Sequence, residues 1–210
     1  MDGIIFDVDG TLWDSTEVVS KAWTGYLREK EGLDILVTAD RLRSLFGRLL
    51  SDIARDLFPH ADETEQERLI VACEDEEHRA LLREHVDLYP GMEKTIRTLA
   101  ERFPLFIVSN CEAGYIEVFL ENSGLGDCFT GHLCPGDTGL AKAGNIRRIA
   151  EIYGLSSPCY VGDTQGDYDA CMEAGVDFIF AAYGFGQVPD AKVRIQSPSE
   201  LPGVFSGSAL

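Results

Sequence analysis

The sequence lacks long apolar runs, a basic leader and any excess of positive charge. No stretch of about 20 apolar residues is available to cross a bilayer. The start shows no basic segment followed by an apolar one, the pattern of a signal peptide. Lys and Arg number 18 against 36 Asp and Glu, so the formal net charge is -18. We therefore expect a cytoplasmic protein with no nucleic-acid or membrane partner, in which an anionic substrate needs a local cation.

Paired cysteines are also missing. The six cysteines include no CxxC pair and are scattered through apolar segments, which indicates free thiols in a reducing compartment. Cys128, His132 and Cys134 are close in sequence, but their spacing matches no zinc site. The sequence therefore predicts neither a disulfide framework nor a zinc centre.

The predicted elements divide the chain into two parts. Residues 15–85 carry only helical patterns, whereas the rest alternates helices with short apolar runs. Such alternation favours a parallel sheet covered by helices on both faces. We expect an α/β fold with a Rossmann-like open parallel sheet core, residues 1–14 and 86–210, and a small all-helical cap domain, residues 15–85. The predicted strands span residues 4–6, 105–109, 128–134, 158–162, 177–182 and 193–196.

Three local details are predicted as well. Ser15 or Thr16 is expected to cap the first helix of the insert. The tail from Ser197 is rich in turn formers and is expected to be loosely held. In the long polar segment near residues 62–85, the apolar stripe of the helix is predicted to consist of Leu69, Ile70, Cys73, Ala80 and Leu81.

Polar residues stand at the ends of several predicted elements of the core. Ligands of open parallel sheets bind beyond the carboxyl ends of the strands, so these residues should share one edge of the sheet. Together they offer carboxylates, a hydroxyl, an amide and an ammonium, which suits a metal ion and a phosphate group. The sets are Asp7 with Asp9, Ser109 with Asn110, Lys142, and Asp163 with Thr164 and Asp167.

Each set alone has a simpler interpretation. The DVDG segment could be a turn, although a calcium loop is excluded because Leu12 and Val18 occupy the positions of the required glycine and glutamate. Asp163 or Thr164 could cap a helix. Lys142 could be a solvated surface lysine, although a cation is disfavoured in the first turn of a helix. The order of all four sets along one predicted edge is what favours a functional site.

That order resembles a known family. DVDGTLWDS from Asp7, Ser-Asn at 109–110, Lys142 and GDTQGD at 162–167 resemble the four motifs of the haloacid dehalogenase-like superfamily. The resemblance covers the whole chain, including a helical cap after the first strand. It implies a Rossmann-like core, Mg²⁺ and a phosphorylated aspartate. One departure is that this chain reads Lys-Ala at residue 142, where many relatives with such a cap read Lys-Pro.

The resemblance implies a role for each motif residue. Asp7 is the nucleophile that forms an aspartyl-phosphate. The carboxylates of Asp7 and Asp163 and the backbone carbonyl of Asp9 are the Mg²⁺ ligands, with Asp167 behind them through water. The phosphate-binding residues are Ser109, Asn110 and Lys142, the last also holding the nucleophile in place.

The chemistry of phosphoester cleavage gives Asp9 a separate role. An alkoxide leaving group needs a proton, which a second acid can deliver before it takes one from water as general base. A departing halide needs no proton, so Asp9 favours a phosphatase over a dehalogenase. Arg48, between two cap helices, is a candidate contact to the far end of an anionic substrate, or a solvated helix arginine. Trp13, beside the linker, could pack the cap to the core.

We therefore expect a Mg²⁺-dependent phosphatase, of the phosphoglycolate phosphatase-like kind, that acts on a small phosphorylated metabolite. A sugar phosphomutase would share every motif, and a non-catalytic binding protein on this fold is a third possibility. A monomer or small homo-oligomer is expected. The sequence names neither the substrate nor a role for any cysteine.

Overall fold

The computed structural model describes residues 1–205 and contains one six-stranded sheet in which all strands are parallel. The strand order is β3-β2-β1-β4-β5-β6, an arrangement of doubly wound nucleotide-binding folds. The predicted α/β class and Rossmann-like core are confirmed. The strands are β1 (Gly3–Phe6), β2 (Leu105–Val108), β3 (Phe129–Leu133), β4 (Pro158–Gly162), β5 (Asp177–Ala181) and β6 (Val193–Ile195).

The sheet is buried on both faces because its central strands are apolar at every position. In β1, Ile4 and Phe6 belong to one hydrophobic cluster, whereas Ile5 belongs to another on the opposite face. Successive side chains of a strand point to opposite faces, so a continuous apolar run serves two helical layers. The helices of the core are α5 (Met92–Ala100), α6 (Tyr115–Ser123), α7 (Pro135–Thr138), α8 (Lys142–Tyr153), α9 (Gln165–Ala174) and α10 (Leu201–Val204).

The register of the strands determines where the candidate site lies on the sheet. Phe6 of β1 pairs with Ile107 of β2 and with Val161 of β4. The chain therefore leaves the three strands at nearly the same level of the sheet. The polar residues that follow these strands share one edge, close to the point where the strand order reverses, which is where ligands of such folds bind.

Four helices lie between β1 and α5, and we call this helical insert the cap. They are α1 (Thr16–Glu29), α2 (Ala39–Arg43), α3 (Leu50–Leu57) and α4 (Glu63–Leu81). The central helix α4 packs against both α1 and α3. The two linkers between cap and core pair with each other, since Trp13 and Leu88 form an antiparallel bridge. The domain boundaries after residues 14 and 85 stay a prediction.

Trp13 packs at this junction, as one interpretation of the sequence expected. Its side chain is fully buried and stacks edge-on against Phe119 of α6, with ring centroids 5.0 Å apart. Its indole N–H also reaches the Asp9 carboxylate at 3.1 Å. The residue thus joins the linker, the core and the candidate site.

Two local predictions were wrong, and a third is confirmed for four of its five residues. Ser15 does not cap α1 with its side chain; the Asp14 carboxylate accepts from the backbone N–H of Thr16 instead, at 3.1 Å. Residues 198–204 form a 3₁₀ turn and α10, because Leu201 is buried against the core, while residues 206–210 of the predicted loose tail lie outside the described residues. The buried stripe of α4 includes Glu77 and not Ala80.

No helix within residues 1–205 has the length and apolar character needed to span a bilayer.

Candidate active site

A buried lysine ties two aspartates together at the edge of the sheet. Lys142 Nζ donates to Asp7 Oδ1 at 3.0 Å and to Asp167 Oδ1 at 2.5 Å. The lysine is the first residue of α8, but its side chain is only 4% exposed. Although burial alone lowers its pKa, the carboxylates of Asp167 and Asp7 raise the pKa of Lys142 above its ordinary value. The solvated-lysine interpretation is therefore wrong.

Three carboxylates meet beside this lysine. Oxygen atoms of Asp7, Asp163 and Asp167, all three buried, lie within 4.8 Å of one another. Burial, with repulsion from Asp167, raises the pKa of Asp7 to about 6, against the opposing effect of Lys142 and Ser109. Burial, with repulsion from Asp167 and Asp7, also raises the pKa of Asp163 well above its ordinary value.

This excess of negative charge fits a divalent cation. One ammonium cannot balance three carboxylates, and buried charges are otherwise expensive. Hard oxygen ligands of this kind are those that Mg²⁺ prefers. The residues present therefore suit the ion that the resemblance implied.

Asp167 is already committed to hydrogen bonds through both oxygens. Its Oδ2 accepts from the backbone N–H of Asp163 at 3.2 Å and of Thr164 at 2.9 Å, and from Thr164 Oγ1 at 2.7 Å. Thr164 Oγ1 in turn accepts from the backbone N–H of Asp167, which completes a capping box at the start of α9. Asp167 thus fixes the loop that carries Asp163, in line with a place behind the metal ligands.

Asp9 has surroundings of a different kind. Its Oδ1 accepts from Ser15 Oγ at 2.7 Å, from Tyr115 OH at 2.8 Å and from Trp13 Nε1 at 3.1 Å. These donors favour the charged form, but burial outweighs them and raises the pKa of Asp9 to about 7. All three donors use one oxygen, which leaves Oδ2 to carry a proton. A carboxyl group with a pKa near neutrality suits an acid that later acts as a base.

Glycines let the backbone close around Asp163. Its Oδ2 accepts from the backbone N–H of Phe185 at 2.7 Å, and its Oδ1 accepts from Thr11 Oγ1 at 3.0 Å. Gly10 has a φ of 80°, and a Cβ there would lie 2.2 Å from Asp163 Oδ2. A Cβ on Gly184 would meet Asp163 Cβ at 2.3 Å. No side chain larger than hydrogen fits at either position without displacing the aspartate.

Two segments that follow strands of the sheet supply contacts to Asp9 and Asp163. The segment SNCEAGYIE carries Tyr115, and AAYGFG carries Gly184 and Phe185. A further contact from the second segment is that Tyr183 OH donates to the backbone carbonyl of Thr11 at 2.9 Å. The first segment follows β2 and the second follows β5. This position at the end of a strand is the sequence signal that could have marked both segments as part of the site.

Ser109 and Asn110 stand at the end of β2, where the site meets the cap. Ser109 is buried and close enough to Asp7 to lower the pKa of that carboxyl. Asn110 Nδ2 donates to the backbone carbonyl of Gly47 in the cap at 2.9 Å, while its Oδ1 is buried without a partner in the part of the chain that the structure describes. Asn110 therefore bridges core and cap in this closed arrangement.

The cavity enclosed between cap and core measures about 40 Å³, and Arg48 lies on its wall. Its guanidinium pairs with Asp56 at 2.6 Å, and its side chain is 41% exposed. The cap residues around the cavity are Trp23, Phe46, Gly47, Arg48, Leu50, Ile53, Glu74 and Glu77. Trp23 and Glu77 were not among the predicted site residues.

The sheet order, the acidic cluster and the lysine beside it are those of a hydrolase with a Rossmann-like core and a helical cap. The chain belongs to the haloacid dehalogenase-like hydrolase family, whose pattern matches residues 4–181. The family resemblance stated from the four motifs is therefore confirmed.

Known relatives extend this assignment. The chain is 26% identical to a phosphoglycolate phosphatase of Rhodobacter capsulatus, over 97% of this chain and 96% of that protein. It is 28% identical to a phosphoglycolate phosphatase of Aliivibrio fischeri, over 87% and 84%. A haloacid dehalogenase-like hydrolase structure from Streptococcus pneumoniae superposes with a TM-score of 0.84 at 20% identity, covering 98% of both chains. The expected enzyme class, a phosphoric monoester hydrolase, is confirmed at the level of the family and these relatives.

Proposed function

We propose that this chain is a Mg²⁺-dependent phosphatase that hydrolyses a small phosphorylated metabolite through an aspartyl-phosphate on Asp7. The observation that supports it most is the buried group formed by Asp7, Lys142, Asp163 and Asp167, with Asp9 held apart by its own donors. Two relatives carry the name phosphoglycolate phosphatase. Phosphoglycolate is therefore the first substrate to test.

The proposed first step transfers the phosphoryl group to the protein. Lys142 holds Asp7 Oδ1 at 3.0 Å, which leaves Oδ2 to attack phosphorus while the bond to the ester oxygen breaks. Asp9 Oδ2 gives its proton to the departing alkoxide. Ser109, Asn110 and Lys142 donate to the phosphoryl oxygens as negative charge develops.

In the second step Asp9 takes a proton from water, whose oxygen attacks the phosphorus and releases free phosphate and the Asp7 carboxylate. The carboxylates of Asp7 and Asp163 and the backbone carbonyl of Asp9 would hold Mg²⁺, with Asp167 behind them. When bound, the ion neutralises charge so that an anionic nucleophile can approach an anionic phosphate.

The closed cap limits water between the steps. A cavity of about 40 Å³ is far smaller than the roughly 300–1,000 Å³ of sites that hold small ligands. Substrate entry therefore requires the cap to move away from the core. The contact from Asn110 to Gly47 is one that this movement would break.

A phosphatase is favoured over the alternatives. A sugar phosphomutase must also hold a second phosphoryl group against the cap, where Glu74 and Glu77 line the cavity. A non-catalytic binding protein would not need the complete set of acids. The phosphatase accounts for every charged group on the core side of the cavity.

A panel of phosphorylated metabolites tests the proposal. With Mg²⁺ we expect free phosphate from at least one small phosphoester, and none once EDTA has removed the ion. An isomerised sugar phosphate in place of free phosphate would indicate the phosphomutase. Absence of any Mg²⁺-dependent turnover across the panel would contradict the proposed function.

A further inference from the structure

Two buried polar side chains of the cap face the catalytic acid. Trp23 of α1 is 1% exposed and Glu77 of α4 is 5% exposed, and both line the cavity that Asp9 borders. Because Asp9 gives its proton to the leaving group in the proposed mechanism, cap groups around it contact the leaving group and not the phosphoryl group. These two residues therefore bear on which phosphoester is accepted.

Trp23 presents an unused hydrogen-bond donor. Its indole Nε1 is buried and has no acceptor within 3.5 Å among residues 1–205, although it lies close enough to the Glu77 carboxyl to lower the pKa of that group. A buried N–H without an acceptor is unfavourable and uncommon in folded proteins. Phenylalanine would supply the same apolar packing without this cost. The donor thus points to an acceptor that the bound substrate brings.

Glu77 presents a carboxyl group in the same wall. Among residues 1–205 it forms no ion pair, although helix α4 offers its neighbours Arg68 and Arg79 to other acids. Burial, with the charges of Asp9 and Glu74, raises its pKa well above the ordinary value, and the nearby Trp23 opposes this shift. Ionised or protonated, Glu77 can accept a hydrogen bond from a hydroxyl group.

A carboxylate on the leaving group would be poorly placed here. The cavity wall around it contains Asp9, Glu74 and Glu77. Arg48 is the cation on the cap side of this wall within the described chain, and it is paired with Asp56 at 2.6 Å. Lys142 is held between two aspartates on the core side. A substrate carboxylate would therefore meet acids without a free counter-charge.

We propose that the preferred substrate is a phosphate monoester whose leaving group carries a hydroxyl group, which accepts from Trp23 Nε1 and donates to Glu77. The inference rests on the proposed phosphatase function and specifies its substrate class. One hydroxyl satisfies both cap groups because it is donor and acceptor at once. It also separates this chain from relatives named for phosphoglycolate, whose leaving group, glycolate, carries a carboxylate in place of a hydroxyl group.

Three two-carbon phosphoesters test the inference on the unmodified protein. The leaving group ends in CH₂OH in 2-hydroxyethyl phosphate, in CH₃ in ethyl phosphate and in a carboxylate in phosphoglycolate. With Mg²⁺ we expect kcat/KM for 2-hydroxyethyl phosphate to exceed that for each of the others by at least about tenfold, since a site built for a hydroxyl rejects analogues without it. This comparison uses only the unmodified protein, so it does not depend on whether a variant folds.

Variants of the cap then test whether Trp23 and Glu77 produce the preference for a hydroxyl group. Trp23→Phe and Glu77→Leu should each bring the ratio of kcat/KM for 2-hydroxyethyl phosphate to kcat/KM for ethyl phosphate down to about one. Glu77→Gln keeps an acceptor oxygen and should retain most of the preference. Glu29→Gln, at an exposed position of α1, removes one acidic group from the cap and should alter nothing.

Three results would overturn the inference. Phosphoglycolate as the best of the three substrates would do so while leaving the phosphatase function intact, as would variants that slow all three compounds equally. Release from none of the three contradicts the inference, and the wider metabolite panel then shows whether the proposed function fails with it.

Discussion

The core and cap sides of the cavity differ in how their acidic side chains are paired. On the core side, Asp7 pairs with Lys142, and Asp163 and Asp167 behind it accept from backbone N–H groups, although Asn110 Oδ1 is buried without a partner among residues 1–205. On the cap side, Trp23 Nε1 has no partner and Glu77 has no ion pair within the described residues. We call these two sides the core wall and the cap wall. We propose that the core wall carries out the reaction and that the cap wall selects the substrate.

The largest effect should come from the core wall at the nucleophile. Asp7→Asn removes the attacking carboxylate, so kcat should fall by at least about 10⁴-fold. Steady-state release of phosphate from the best panel substrate measures it, with circular dichroism to show that the fold persists. Asp190→Asn, at an exposed aspartate after β5, is the matched control. Normal activity in Asp7→Asn would remove Asp7 from the mechanism.

Asp9→Asn should have the next largest effect. It removes the proton donor while leaving the backbone carbonyl in place, so kcat should fall by roughly 10²–10⁴-fold. Mg²⁺ binding, followed by isothermal titration calorimetry, should stay close to that of the unmodified chain. A large loss of Mg²⁺ affinity with kcat retained would mean that Asp9 serves the ion and not the leaving group.

Lys142→Met tests how much the ion pairs of Lys142 with Asp7 and Asp167 contribute to stability. It leaves buried carboxylates without their ammonium, which should lower the free energy of unfolding by about 3–5 kcal/mol. Urea denaturation measures the change, and Mg²⁺ should restore part of the loss by supplying positive charge. Lys192→Met, at an exposed lysine, is the control. An unchanged free energy of unfolding would show that these ion pairs contribute little to stability.

The smallest effect concerns the cap wall and depends on pH. Burial, with Glu112 and Asp75, raises the pKa of Glu74 from 4.5 to about 8. Since the folded form holds this proton more tightly, its contribution to stability is complete below about pH 4.5 and is lost as the pH rises through 8. Glu77 also faces Glu74, and so adds to the repulsion when it ionises.

Glu74→Gln removes that dependence. The variant should match the unmodified chain at pH 4.5 and exceed its free energy of unfolding by about 1 kcal/mol at pH 9, because one pKa unit is worth about 1.4 kcal/mol and water still reaches part of this side chain. Thermal unfolding across this range measures the difference. A gap between the two proteins that does not vary with pH would show that Glu74 is not the titrating group.

Sequence patterns predicted the core wall far better than the cap wall. The apolar strands are short, and their ends carry the polar motifs, so parallel register alone brings Asp7, Ser109 and Asp163 to one edge. Glu77 escaped prediction because α4 is polar on most of its surface, and a glutamate in it is ordinary. Only the docking of the cap against Asp9 buries that side chain. Tyr115 was missed for a similar reason, since its partner Asp9 lies 106 positions away.

The C-terminal segment from Ser197 is a second case in which long-range packing could not be predicted from local sequence patterns. Its composition favours turns, yet Leu201 is buried and α10 packs beside α5. Tertiary burial outweighs local propensity there. Long-range packing is what short sequence patterns leave out, and it governs the cap wall more than the core wall.

The central claim is that the phosphoryl group passes through Asp7, and trapping that adduct tests it most directly. The protein is mixed with its best substrate and Mg²⁺, quenched in acid within milliseconds, and its peptides are mapped by mass spectrometry. We expect an acyl-phosphate on the peptide that contains Asp7, labile to hydroxylamine and missing from Asp7→Asn. A phosphoryl group on another residue, or full turnover with none on the protein at any quench time, would contradict the account.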